Sequence, residues 1–245
     1  MAKNQAIDGR QALVWYLEPV GEAASTALNI GDVVIVKSQA ESNSAFGNAG
    51  LVNKPFVAVK AITPVSGDTY VKCAVHFIGM ATDKSVNKSK NTSDVTCDFD
   101  SMTNNITDGQ VTISGSITMM FSVDGKGYAS TYIKQRFGAV DIYGEDGKVA
   151  TESSATDEKD LLLFAWNARD AKASDIVEFE VIPALITSLD HSSSYGSSQS
   201  MSINFTGNAA DENGYEARVM QIPGGKAVIN VLATTRAEAD AAAQA

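Results

Sequence analysis

The chain reads as all-β, a β-sandwich or split barrel with one flanking α-helix, and three observations predict it. The first is the stretch from Gln110 to Val123, where Gln110, Thr112, Ser114, Ser116, Thr118 and Ser122 alternate with Val111, Ile113, Gly115, Ile117, Met119, Phe121 and Val123. Only Met120 breaks the polar series, and a period of two over this length is a strand with one buried and one polar face. The second is a set of short apolar or alternating runs, among them DVVIVK, LLLFAWN and IVEFEVI, bounded by Gly, Ser and Asn. The third is that a single stretch in the body of the chain carries apolar residues at helical spacing. No composition break marks a linker and no repeat of fixed period occurs, so residues 1–235 form one domain, with 144–175 as a possible insertion and 236–245 as a tail.

Taken in order, residues 1–10 are polar and read as a mobile arm. Gln11 to Val20 is a strand ending at Pro19, and Asp32 to Lys37 is a second. Ser38 to Gly50 is rich in Ser, Asn, Ala and Gly, with Phe46 as an exposed aromatic, and reads as a long loop. Loops beyond about 12 residues in a compact domain usually have a job. Lys54 to Val65 and Tyr70 to Phe77 are strands joined at Ser66-Gly67-Asp68 as a hairpin. Thr82 to Thr92 is polar, with Lys84, Lys88 and Lys90. It reads either as a solvated loop or as a basic contact for an acidic neighbouring subunit.

The stretch from Ser93 to Val123 carries the longest strand, which would extend roughly 45 Å if unbroken. Strands average about 5–6 residues, so this one needs partners along its whole length. Gly115 at its middle marks a bend, a bulge or a close backbone approach. In Asp124 to Gly138, Tyr128, Tyr132, Ile133 and Phe137 fall at helical spacing and Gly138 closes the helix. Ala139 to Tyr143 is a short strand, Gly144 to Asp160 an acidic loop, and Leu161 to Asn167 and Ile176 to Ile182 are strands. Ser188 to Ser200 is a serine-rich loop, and Met201, Ile203 and Phe205 mark another strand. Tyr215 to Met220 and Ala227 to Leu232 are the last two strands, turning at Pro223-Gly224-Gly225. The count is about ten strands and one helix.

Composition narrows the function. Of 245 residues, 44% are hydrophobic and 20% charged, which is globular, and the net charge of -10 repels a phosphate backbone. The start MAKNQAIDGR lacks a signal peptide's apolar run, and no segment approaches the roughly 20 apolar residues of a membrane span. The expectation is a chain made and kept in a cytoplasm until something releases it. Cys73 and Cys97 read as small buried side chains, with a disulfide open to them only if their strands pair. The two histidines, His76 and His191, stand alone, and neither G-x-S-x-G nor a phosphate loop nor zinc spacing occurs. Asp98-Phe99-Asp100 and Glu145-Asp146-Gly147 lack the regular oxygens of a calcium loop. No enzyme and no cofactor is expected.

The segment SKNTSDVTCDFDSMTNNITDGQVTISGSI, Ser89 to Ile117, resembles the major tail tube proteins of tailed bacteriophages. The matching residues are Lys90, Thr92, Asp94, Val95, Thr96, Asp108, Gly109, Val111, Ile113, Ser114 and Gly115, followed by SMSINFTG from Ser200 to Gly207. The resemblance runs over about residues 80–210, and 144–175 has no counterpart. It implies two packed sheets with a helix, as in the tube of type VI secretion. It also implies hexameric rings stacked into a virion tail tube, assembled in the host cytoplasm, and inner sheets that join into one barrel on oligomerisation. Its implied partners are further copies and other tail proteins (tape measure, terminator, baseplate or tip), with genome DNA passing through without specific binding. By the same resemblance, Glu178 and Glu180, or Asp98 and Asp100, face the lumen. Lys84, Lys88 and Lys90 contact the neighbouring subunit, and Ser38, Asn43, Phe46 and Asn48 contact the next ring. Deleting Asn43 to Gly50 is then expected to leave a folded monomer that forms no tubes. The rival expectations are a virion decoration protein and a ligand-binding or adhesion β-sandwich, although aromatics at 7% make a poor binding platform.

Overall fold

The computed structural model describes residues 12–47, 50–78, 81–95, 105–120, 133–144, 146–154, 160–168, 171–195, 199–207 and 215–232. The fold is all-β. Its strands are β1 (Leu13–Ala24), β2 (Val33–Ser38), β3 (Pro55–Val57), β4 (Thr69–Phe77), β5 (Ala81–Val95), β6 (Asn105–Met120), β7 (Val140–Tyr143), β8 (Val149–Glu152), β9 (Asp160–Trp166), β10 (Ile176–Ser192), β11 (Ser200–Gly207) and β12 (Arg218–Pro223). Ten of them form one antiparallel sheet in the order β3-β2-β4-β1-β9-β10-β11-β6-β5, with β12 on β10, while β7 and β8 pair with each other as a separate two-stranded sheet.

The sheet curls, and β10 is where it divides. Its first half, Ile176 to Val181, pairs with β12, and its second half, Ala184 to Ser192, pairs with β11. On the β12 side the sheet wraps an enclosed core of Trp15, Leu17, Val33, Ile35, Leu163, Phe179 and Ile222. The wrap ends where β12 meets β3. There Glu216 N–H donates to Asn53 O at 3.1 Å and the Arg218 guanidinium donates to Pro55 O at 2.7 Å. These bonds do not make a continuous ladder, so the barrel is split rather than closed. The alternate side chains of the same strands, Val14, Tyr16, Leu162, Phe164 and Ile182, face a second core with Ile113, Ile117, Ile203 and Phe205. Strands buried on both faces lose the polar half of the alternation, which is why β9 reads LLLFAW. A third cluster packs Leu28, Val36, Phe46 and Tyr70 on the outside of β2 and β4.

Several expectations are corrected. Residues 82–92 are not a solvated loop: they belong to β5, a 15-residue strand. The predicted 54–65 strand shrinks to β3, which pairs with β2 and not with β4, so no hairpin spans Gly67. β1 runs on through Pro19 to Ala24, pairing with β4 beyond Leu17, its last partner on β9. Within 144–160 the acidic stretch contains β8, and β10 runs past the predicted end at Ile182 to Ser192. Residues 226–232 are helical instead of a strand. Val228, Ile229 and Leu232, buried in the first core, have the i, i+1, i+4 spacing of one helix face. The expected 124–138 helix is described only at 133–135, where Ile133 is buried and Arg136 pairs with Asp160 at 2.7 Å, both nearly fully enclosed. Its earlier turns lie outside the described residues, as do Cys97, Asp98, Asp100 and Asn48.

Candidate functional site

Among the described residues, β5, β6, β11 and β10 lie side by side and present one continuous front face. Register places three rows of side chains across these four strands. They read Asp83, Thr118, Ser202, Asp190; then Ser85, Ser116, Asn204, Ser188; then Asn87, Ser114, Thr206, Leu185. Every position in these rows but Leu185 is polar, and none is basic. The rows are tied crosswise by hydrogen bonds. Ser85 and Ser116 hydroxyls meet at 2.9 Å, Thr118 and Ser202 at 3.0 Å, and the Asn204 amide donates to Ser188 Oγ at 2.7 Å. Such cross-strand pairs hold neighbouring strands in one register.

The back face is apolar where β6 and β11 lie on the second core. Ile113, Ile117 and Met119 alternate inward, with Ile117 and Met119 opposite Ile203 and Met201 and with Phe205 opposite Gly115. Gly115 is a close approach: a Cβ there would run into the Ser85 carbonyl oxygen and the Phe205 ring. Of the three meanings open to this glycine, the structure selects that one.

This sheet has two open edges among the described residues. β5 pairs with β6 on one side only. β10 pairs with β9 only from Glu178 to Ala184, so its β9-side edge from Leu185 to Ser192 has no described strand beside it. One edge lies at each end of the polar face. Unpaired strand edges are templates for another strand.

The predicted contact residues fall elsewhere. Glu180 is 5% exposed and sits on the back face, where the Trp166 indole N–H donates to Oε2 at 3.2 Å. Its Oε1 pairs with the Lys88 ammonium and has no hydrogen bond of regular geometry, so the contact is an ion pair alone. Glu180 therefore lines no solvent-facing wall, and Lys88 holds an acid of its own chain instead of waiting for a neighbour's. Glu178 follows Glu180 on that face, accepting from Gln221 Nε2 at 3.1 Å. Among the described rows, the carboxylates on the polar face are Asp83 and Asp190. Lys84 and Lys90 stand on the back face of β5, opposite Ile117 and Val111.

Phe46 is buried and not exposed, with its ring edge-on to Phe56 and Tyr70 at 5.3 and 6.2 Å. The 38–50 loop is fastened by Asp68, whose carboxylate accepts from the N–H groups of Ala40 at 2.9 Å, Ala45 at 2.8 Å and Val65 at 3.3 Å. Burial pushes the Asp68 carboxyl up, but these donors and the Ser44 hydroxyl together outweigh it and hold it below the ordinary aspartate range. Deleting Asn43 to Gly50 would remove Phe46 from a core, so a folded product is no longer expected. Ser38, the last residue of β2, donates its hydroxyl to Gly67 O at 2.7 Å and meets Thr69 Oγ1 at 2.7 Å, and Asn43 sits at a left-handed turn with φ 56°.

The residues with chemistry are occupied structurally. Burial pushes the Cys73 thiol up to about 12, so it stays protonated. His76 Nε2 lies 3.1 Å from Glu18 Oε2. His191 borders a shallow depression with Ser192, Ser193, Gln199 and Ser200, and no carboxylate lines it among the described residues. No cluster of three or more His, Cys, Asp or Glu converges among the described residues, and none of their helices is long and apolar enough to cross a membrane.

No protein-family model matches the chain, and no curated protein is similar to it. Among solved structures it is similar to a chain in the tail of an empty GTA particle with C6 symmetry. The TM-score is 0.39 at 14% identity, over 60% of this chain and 86% of that one.

Proposed function

We propose that this chain is the repeating subunit of a phage-type tail tube. Copies join side by side, the β5 edge of one against the Leu185–Ser192 edge of the next, and the rings so formed stack into a conduit for DNA. The observation that carries the reading is a hydroxyl-lined sheet with no described strand beside either outer edge. A heterologous contact between two different edges generates a ring when the rotation closes. The resemblance of Ser89 to Ile117 to tail tube proteins supports the same reading and supplies the number six.

Six copies of four strands make a barrel of about 24 strands, which at ~4.8 Å spacing and ~40° tilt is roughly 48 Å across between backbones. That leaves a water-filled channel wide enough for duplex DNA. Its wall would present Ser, Thr and Asn with Asp83 and Asp190 and without a lysine from these rows. Hydroxyls keep water at the surface, and the carboxylates repel phosphate, so a polyanion slides without adhering.

Negative-stain microscopy of the purified protein tests this reading. Rings or tubes are expected at high protein concentration. A wild-type protein that stays monomeric at every concentration, or binds only to capsids, sinks the proposal.

A further inference from the structure

A strand with one apolar face has its register fixed by that face, whereas a strand polar on both faces is prone to slip. β5 is of the second kind. Of its 15 residues only Ala81, Val86 and Val95 are apolar, and among the described strands it pairs with β6 alone. Ser85, Asn87 and Ser89 stand on its front face opposite Ser116, Ser114 and Thr112. Lys84, Val86, Lys88 and Lys90 stand on its back opposite Ile117, Gly115, Ile113 and Val111. The Ser85–Ser116 hydroxyl bond does not single out this register, because Asp83 or Asn87 could replace Ser85 after a slip of two residues.

One contact does depend on the register. Glu180 of β10 is a buried carboxylate whose Oε1 pairs with the Lys88 ammonium and whose Oε2 accepts from the Trp166 indole N–H at 3.2 Å. After a slip of one residue, Asn87 or Ser89 stands where Lys88 stands now and the lysines of the strand face front. Glu180 then keeps the indole but has no cation. A slip of two in one direction brings Val86 to that place, with the same result. In the other direction Lys90 arrives there, but Lys88 then displaces Val86 from its position opposite Gly115 against the second core. Leaving one partner of a buried pair uncompensated is strongly destabilising, although the pair itself adds little net stability. Fixing a register is the best-attested use of such groups.

We infer that the Lys88–Glu180 pair is the register lock of β5, with Val86 opposite Gly115 excluding the one nearby slip that the pair would tolerate. Lys88 and Glu180 are positioning residues, and what they position is the whole edge strand. In the observed register Lys84, Lys88 and Lys90 stay behind the polar face, and a slip of one residue would set all three among its hydroxyls. The inference concerns the single subunit and does not rest on the assembly reading. On that reading the same pair keeps cations off the conduit wall.

Disulfide trapping reads the register directly. Opposed residues of antiparallel strands have Cα atoms about 4.5–5.5 Å apart, within the span of a disulfide. In a Cys97→Ser background, with Cys73 left buried, Ser89→Cys with Thr112→Cys reports the observed register. Ser89→Cys with Val111→Cys or with Ile113→Cys reports the two one-residue slips, since those side chains lie on the other face now. Each pair is combined with Lys88→Arg, with Lys88→Met, and with Lys88→Met plus Glu180→Gln. The last combination leaves no orphan charge, so its urea midpoint is expected to stay close to that of wild type.

Mass spectrometry after mild oxidation is expected to show the registered cross-link reduced about threefold or more in both Met variants, with a slipped cross-link appearing. Lys88→Arg is expected to keep the wild-type pattern. Should the double variant fail to fold, Lys88→Met, altered at a half-exposed side chain, carries the comparison with Lys88→Arg. A registered cross-link as strong in the folded Met variants as in wild type overturns the inference. So does a loss without any slipped product, which would mean that β5 detaches instead of shifting, and so does an equal loss in Lys88→Arg. None of these outcomes touches the tube reading, which the microscopy above decides.

Discussion

Along β10 two environments follow one another on a single strand. Val177, Phe179 and Val181 face an enclosed apolar core, while Ser188 and Asp190 stand on an open polar surface. The first half belongs to a split barrel buried on both faces, and the second half to a sheet with one face packed and one wet. What differs is the job of the second face. In the barrel it encloses more core and so contributes stability, whereas in the outer sheet it is left to water and to other molecules. Substitutions in the two halves should accordingly act on different observables, folding in one and association in the other.

The largest expected effect is in the barrel. Phe179→Ala removes a fully buried ring and should cost about 3–5 kcal/mol of unfolding free energy, read as a lower midpoint in urea. A loss below about 1 kcal/mol would mean that this half is loosely packed and the contrast is false.

Next comes the Asp68 anchor, which is polar yet buried and so tests whether chemistry or location decides. Asp68→Asn replaces an acceptor-only carboxylate with an amide facing N–H groups and should cost about 1–3 kcal/mol at neutral pH. The wild-type carboxyl is held below its ordinary value of 3.8 in the folded state. Its contribution is therefore complete above that value and is lost as pH falls through the lowered one. The stability gap between wild type and Asp68→Asn should shrink in acid, and urea titrations at neutral pH and at about pH 3 measure it.

The smallest effect on folding belongs to the polar face. Ser114→Lys should change stability by less than about 0.5 kcal/mol, as exposed substitutions usually do. Assembled tubes of this variant should nevertheless retain duplex DNA at low salt and release it at high salt, where wild-type tubes retain none. Equal DNA retention by both would detach the polar rows from any conduit role.

Much of this contrast is legible in the sequence, and the losses have physical causes. β6 is legible because Ile113, Ile117 and Met119 alternate with hydroxyls, and β9 because LLLFAW is an unbroken apolar run. β5 escapes because its inward positions are Lys84, Val86, Lys88 and Lys90, whose aliphatic stems can cover apolar surface while their ammonium groups reach outward. The signal is present in Ser85, Asn87 and Ser89 between them, a period of two written without apolar residues. Glu180 looks like a surface acid in IVEFEVI, since nothing nearby in sequence announces that Lys88 and Trp166 converge on it. Phe46 looks exposed amid Ser, Asn and Gly because Phe56 and Tyr70, which enclose it, are distant in the chain. The 226–232 segment is too short for its period to distinguish helix from strand, and the packing of Val228, Ile229 and Leu232 decides it.

The passage of β10 from β12 to β11 has a mechanical meaning. A pull directed along this strand, from the outer sheet toward the barrel, loads its hydrogen bonds to β9, β11 and β12 in parallel, as shear, and they must fail together. A pull across the strand at the Leu185–Ser192 edge loads them one after another, as a zipper. The subunit is thus built to resist stretching along β10 far better than peeling at its rim. In any assembly it forms, the first failure under load is expected between subunits and not within one.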